Sequence, residues 1–303
     1  MNRIFKAFRY PSKAALYLLN TRLGSVLPDK MYLKLKYRLT IKKKLNLKQP
    51  KSFNEKLQWL KLYDRKPQYT DMVDKYAVKK YVADIIGEEY VIPTLGVWNS
   101  FDEIDFESLP DQFVLKCTHD SGGLVICKDK ATLDKMAAKK KIESSLKKNY
   151  YLFGREWPYK NVPKRIIAEQ YMEDEQTKEL RDYNFFAFEG EIRALFIATE
   201  RQNKSEETKF DFFDAEFNHL DFTNGHPNAS VYPEKPKMFE EMKTLASKLS
   251  RGIPHVRVDF YEVNGQVYFG ELTFSHWSGM VAFEPEEWDD KFGEWINLPN
   301  KTN

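Results

Sequence analysis

An α+β fold is expected from three features of the sequence. Capped amphipathic helices fill much of its first third, short strands bounded by glycine and proline follow, and one strand pair near the C-terminal end carries its charges on a single face. That pair runs from His255 to Tyr261 and from Val267 to Thr273. Alternation puts Arg257, Asp259 and Tyr261 on one side of the first strand and Val256, Val258 and Phe260 on the other. Two registers are open at the turn Val263-Asn264-Gly265. A two-residue Asn-Gly turn pairs Val263 with Gln266 and sends Asp259 and Glu271 to opposite faces. A three-residue loop with Gly265 left-handed shifts the register by one and groups Arg257, Asp259, Glu271 and Thr273. The second is the expectation, because it leaves Val256, Val258, Phe260, Gly270 and Leu272 for the core. Two carboxylates with an arginine beside them suit a divalent cation that carries polyphosphate. The competing reading is a surface hairpin with an Arg257–Glu271 ion pair.

The helices come first along the chain. Ser52-Phe53-Asn54-Glu55 has the serine and glutamate of a capping box, followed by Leu57, Leu60 and Leu62. A second helix is expected after Pro67, running through Asp74 and Lys75 to Gly87. A strand is expected from Tyr90 to Val97, bounded by Pro93 and Gly96. Gln112 to Cys117 reads as a strand, Thr118 to Gly123 as a tight loop, and Leu124 to Cys127 as the returning strand. Ser121-Gly122-Gly123 can close on an anion, since neither glycine has a side chain to obstruct phosphate and both tolerate positive φ. A plain hairpin turn reads the same way. Lys130 to Lys148 is a lysine-rich helix, and Arg165 to Met172 a strand. Further strands are expected over 182–188, 191–199 and 208–213, and a helix over 236–250.

Composition narrows the classes. The chain has 303 residues, 42% hydrophobic and 15% aromatic, enough for a sizeable core. No apolar run reaches the length of a membrane span and the N-terminus lacks the apolar stretch of a signal peptide, so a cytoplasmic protein is expected. Cys117 and Cys127 fit no zinc or redox spacing and read as buried free thiols. Charge is uneven. Residues 1–50 hold 13 Lys/Arg and one acid, Asp29, against 35 basic and 44 acidic residues in the remainder. The first twenty residues, with Ile4, Phe5, Phe8, Leu16, Leu18 and Leu19 among Arg3, Lys6, Arg9 and Lys13, can form short amphipathic helices at an anionic membrane surface. A basic extension packed on the body is the alternative. No recognition motif accompanies the charge, so nucleic acid is not an expected partner.

Taken in order, Phe53–Trp59, Asp74-Lys75, Val114–Gly123, Ile167–Tyr171 and Arg257–Asp259 with Glu271–Phe274 resemble the ATP-grasp superfamily, specifically its TupA-like branch of bacterial polysaccharide biosynthesis. The resemblance implies an ATP-grasp fold that holds ATP between two α+β lobes. It implies a basic helical arm over 1–50, an N-terminal lobe over 51–110, a central lobe with a glycine flap over 111–180 and a C-terminal lobe over 181–303. It assigns Lys75 and Lys116 to the nucleotide phosphates and Ser121, Gly122 and Gly123 to a flap over them. Glu169 starts a hinge whose residues Gln170, Tyr171 and Met172 face the adenine, with Asp182 toward the ribose. Arg257 holds phosphate, and Asp259, Glu271 and Thr273 ligate magnesium; Thr273 stands where many members carry asparagine. Ser278-Gly279 is expected as a backbone anion site for the acyl substrate. Lys116 and Arg257 are the expected catalytic residues.

The implied activity is an ATP- and Mg-dependent carboxylate–amine ligase acting through an acylphosphate. Its expected acyl substrate is a uronic or amino acid of a cell-surface glycan precursor, and its second substrate an amine. No side-chain nucleophile is needed, in keeping with the lack of any Ser/His/Asp or Cys/His arrangement. The alternative is a glycosyltransferase of capsule or exopolysaccharide synthesis. Against it, the chain has no Asp-x-Asp motif after a hydrophobic strand.

Overall fold

The structure, a computed structural model, describes residues 11–175, 180–200 and 207–301. The expected amphipathic segment around Arg3 to Arg9 lies outside the described residues. Three helices, α1 (Pro11–Leu19), α2 (Arg22–Ser25) and α3 (Asp29–Thr40), begin the described chain. α3 buries Tyr32, Leu33 and Tyr37 in a cluster with Leu45, Leu47 and Trp59, so one face of the basic arm packs on the body.

α4 (Phe53–Tyr63) starts as expected, with Ser52 Oγ accepting from the Glu55 N–H at 3.4 Å. The Glu55 carboxylate reaches past the cap to the N–H groups of Asn46 and Lys51, both at 2.9 Å, and so ties down the preceding loop. The single helix expected after Pro67 is two, α5 (Gln68–Val73) and α6 (Ala77–Ile86). Buried Asp74 causes the break: its Oδ1 accepts from the Tyr76 N–H at 2.9 Å, and its Oδ2 binds Arg165 at 2.5 Å. An aspartate that caps the following residues cannot continue the helix before them. Lys75 therefore lies in a joint, and its N–H donates to Thr118 O at 3.1 Å.

A four-stranded antiparallel sheet has the order β1-β4-β2-β3, from β1 (Thr94–Trp98), β2 (Phe113–Cys117), β3 (Leu124–Cys127) and β4 (Ile166–Gln170). The strand expected from Tyr90 begins at Thr94, after a short turn of 3₁₀ helix at Glu88–Tyr90. It pairs with β4, extending the central sheet where a separate lobe over 51–110 was expected. α7 (Lys135–Leu146) covers this sheet with Ala138 and Ile142, and α8 (Tyr151–Gly154) follows. Cys117 and Cys127 are buried free thiols, as expected.

The second sheet is antiparallel, ordered β11-β10-β5-β6-β7-β8. It comprises β5 (Asp182–Phe188), β6 (Glu191–Thr199), β7 (Lys209–Asp214), β8 (His219–Leu220), β10 (Val256–Val263) and β11 (Gln266–Thr273). Every residue of β5 is buried. Tyr183, Phe185 and Ala187 point to a core shared with α6 and α9 (Phe239–Leu249), while Phe186 and Phe188 point to one shared with α4 and α10 (Glu287–Glu294). β9 (Thr223–Asn224) and β12 (Phe283–Glu284) form a small separate pair. The second face of the large sheet is only partly covered by α4 and α10. Its remaining stretch, around Asp182, Asn184 and Asp259, floors a cavity.

Between β10 and β11 the outcome matches the expectation but the device differs. The turn has two residues, Asn264 (φ 52°) and Gly265 (φ 77°), with Val263 opposite Gln266. Both central residues at positive φ make the tight hairpin turn that suits strand twist. Alone it would separate the carboxylates. A bulge at Gly270 restores them: Phe260 faces Phe269, whereas Asp259 faces Glu271 and Arg257 faces Thr273. Gly270 suits the position because a Cβ there would lie 3.0 Å from the Asp259 carbonyl oxygen.

Candidate active site

The cavity of about 480 Å³ lies between the two large sheets. Lys75, Lys116, Ser121, Gly123, Glu169, Asp182, Arg257, Asp259 and Glu271 all line it. A second cavity of about 420 Å³ shares Lys116, Glu169 and Asp182 with the first and is lined by Gln170, Tyr171 and Met172, with Val114, Leu124, Ile126 and Ala198 as apolar walls. Gly122 and Thr273 line neither.

At the junction stands Glu169, whose carboxylate grips two lysines. Oε2 lies 2.5 Å from Lys116 Nζ and Oε1 lies 2.6 Å from Lys79 Nζ. Lys79, on the first turn of α6, also donates to Ile92 O at 2.6 Å. Burial opposes ionisation of Glu169, but Lys116 and Lys79 together hold its carboxyl below the ordinary 4.5. Lys79 was not among the residues expected in the site: a lysine four positions after Lys75 gives no signal beyond a solvated helix face. Glu169 was expected to start the hinge, and its side chain orders the two ammonium groups.

Lys75 Nζ donates to the Asp120 carbonyl at 2.5 Å, where the flap begins. The Asp120 side chain accepts from the Gly123 N–H at 3.0 Å and from Ser145 Oγ, and Ser121 Oγ lies 3.5 Å from Tyr150 OH. Neither flap glycine has positive φ. Gly123 is required for a different reason: a Cβ would lie 2.4 Å from Cys117 Sγ and 2.9 Å from Ser145 Cβ.

On the opposite wall, Arg257 donates to both Asp259 oxygens at 2.7 and 2.5 Å and reaches Glu271 Oε1 at 3.4 Å. Its Nη1 lies 2.9 Å from His276 Nδ1. Arginine can only donate, so His276 Nδ1 accepts and its Nε2 carries the proton, directed at Asn224 Oδ1 3.1 Å away. Burial, then the charge of Arg257, keeps His276 neutral by holding its pKa well below 6.5. Burial likewise opposes the charge on Glu271, yet Lys75, Arg257 and Lys116 hold its carboxyl below 4.5. Thr273 donates its hydroxyl to Glu271 Oε1 at 3.3 Å, behind the cavity wall rather than in it.

Ser278 does not offer the expected anion site. Its N–H donates to Ser275 O at 2.8 Å, and Lys61 takes its carbonyl at 2.6 Å. Trp277, Ser278 and Gly279 follow one another in left-handed conformation (φ 47°, 57° and 59°), held from behind by Lys61 and Gln58. Burial pushes the Lys61 ammonium down to about 7, with Glu156 acting in the opposite sense. Trp277, 40% exposed, thereby stands in the cavity beside Phe210, Phe196 and His226.

Asp259 and Glu271 are the hard-oxygen donors here, and no group of three or more His, Cys, Asp or Glu gathers for a metal among the described residues. That set fits magnesium, which commonly binds through one or two carboxylates plus substrate phosphates and keeps several waters.

Two antiparallel sheets enclosing a cavity lined by lysines on one wall and by paired carboxylates on the other define a protein of the ATP-grasp fold. The chain belongs to the TupA-like ATPgrasp family, whose profile matches residues 55–297. No curated protein matches it. Among solved structures it is similar to a D-alanine–D-alanine ligase from Helicobacter pylori (16% identity, 75% of this chain and 61% of that one, TM-score 0.40). It is also similar to a D-alanine–D-alanine ligase from Bacillus anthracis complexed with ATP (14%, 67% and 55%, 0.40). A third is the ATP-grasp ligase PsnB complexed with a phosphomimetic variant of minimal precursor, Mg and ADP (10%, 80% and 66%, 0.44). The chain thus spans about three fifths of the length of the first of these structures.

Proposed function

We propose that the protein is an ATP- and Mg-dependent carboxylate–amine ligase. The observation that carries the reading is the meeting of Lys79–Glu169–Lys116 with Asp259–Arg257–Glu271 in one cavity. The triphosphate binds Lys116, Lys79 and Lys75, with the Ser121–Gly123 flap over it. The base lies along Gln170–Met172, between the apolar walls of the second cavity, and Asp182 faces the ribose. Asp259 and Glu271 would hold magnesium, which would supply charge neutralisation to the phosphates.

Arg257 orients the carboxylates and, with the lysines, stabilises charge on the transferring phosphoryl group. A substrate carboxylate oxygen attacks the γ-phosphorus and ADP leaves. The amine then adds to the acyl carbon of the acylphosphate, loses a proton and expels phosphate. The aromatic end of the cavity, at Trp277 and Phe210, suits the apolar face of a sugar ring, which favours a uronic acid of a cell-surface polysaccharide or its precursor as the carboxylate. A cytoplasmic site of action follows from the need for ATP.

Phosphate release from ATP and Mg should be followed with a panel of uronates, amino acids and amines. ADP formation that requires both acid and amine is the expected result. UDP release from a nucleotide sugar without ATP would overturn the reading.

A further inference from the structure

We propose that the outward face of α3 docks on an anionic membrane. The helix is amphipathic twice over. One side is buried in the body through Tyr32, Leu33 and Tyr37. On the other, Met31 (56% exposed) and Leu35 (40%) lie between Lys30, Lys34 and Arg38, with Lys44 across a shallow groove. Among the described residues none of these four cations makes an ion pair. The neighbouring Lys43 is engaged by Glu286. Asp29, the single acid of residues 1–50, is turned inward to Arg65 Nη2 at 2.9 Å and Tyr151 OH at 2.5 Å. The outer face therefore keeps its positive charge.

Five of the fifteen large apolar side chains left exposed among the described residues fall between Tyr17 and Leu35. That concentration favours a lipid surface over a nucleic acid, because phosphates pair with the cations but leave Met31 and Leu35 in water. Methionine and leucine inserted among anionic headgroups bury apolar area while the lysine stems reach outward to the phosphates. This places a docking surface on α3.

The test is sedimentation of the full chain with vesicles of phosphatidylcholine alone or mixed with phosphatidylglycerol, across a salt series. Binding to the mixed vesicles that weakens with salt is expected, since each cation near an anionic surface contributes to attachment. K30E/K34E and M31S/L35S should each lower the partition by about tenfold or more, with unchanged thermal midpoints. The serine pair is chosen because it adds no charge and replaces two exposed side chains. Indifference to phosphatidylglycerol, or a wild-type partition in either variant, overturns the proposal. So does tight single-stranded oligonucleotide binding that survives M31S/L35S, or a dimer that this variant dissociates.

Discussion

At the scale of residues, the cavity is organised by two charged knots. In one, Glu169 holds Lys79 and Lys116; in the other, Arg257 holds Asp259 and leans on His276. Asp259→Asn and Glu271→Gln remove charge where the metal would bind, and each should lower ATP-dependent turnover by about 100-fold or more. Full activity in both variants, measured by ADP release, would remove the metal-site assignment. Glu169→Gln leaves two buried-edge ammonium groups facing each other and should cost about 3 kcal/mol in urea denaturation. The pH dependence has a defined sign. The folded carboxyl of Glu169 titrates below its ordinary 4.5, so its contribution is fully present above that value and is lost as pH falls through the folded pKa. Denaturation midpoints followed from neutral to acid pH should therefore decline less steeply in Glu169→Gln than in the wild type.

At the scale of elements, the β10–β11 hairpin shows what a sequence hides. Alternation identified the strands, and the grouping of Arg257, Asp259 and Glu271 was correctly expected. The register was ascribed to the turn, whereas a two-residue turn and a bulge at Gly270 produce it together. Two offsets of one residue cancel in any pattern count, so periodicity could not tell them apart. Gly270→Val, whose side chain would press on the Asp259 carbonyl, should disfavour the bulge, turn Glu271 away from Asp259 and abolish ADP formation while circular dichroism stays that of the wild type. The flap teaches a similar point. Its glycines read as conformational freedom, but Gly123 is needed for packing against Cys117. Gly123→Ala should lose about 1–3 kcal/mol through overpacking, read as a lowered thermal midpoint. Lys79 was not legible, because its role depends on a helix break made by Asp74 that propensity alone did not reveal.

At the scale of the whole molecule, ordered motifs over most of the chain were enough to name the fold, while the cavity's second wall and its aromatic end required tertiary contacts between distant segments. If both sheets contribute to nucleotide binding, ATP with magnesium at about a hundred times its Kd should stabilise the fold by about 2.7 kcal/mol. That is a rise of roughly 5–10 °C in melting temperature for a chain of this kind. No shift at saturating nucleotide would contradict the assigned pocket. The grip of Glu169 on both lysines has one more consequence. It is a tethered anion, present at the lysines at high effective concentration whether or not ligand is there. A free orthophosphate or sulfate ion must compete with it for both ammonium groups. On the proposed reading a triphosphate would engage the second cavity and a metal at Asp259 and Glu271 at the same time, and so would tolerate that competition. The cavity is thereby filtered toward extended polyanions and kept clear of the small ones that are abundant in any cell.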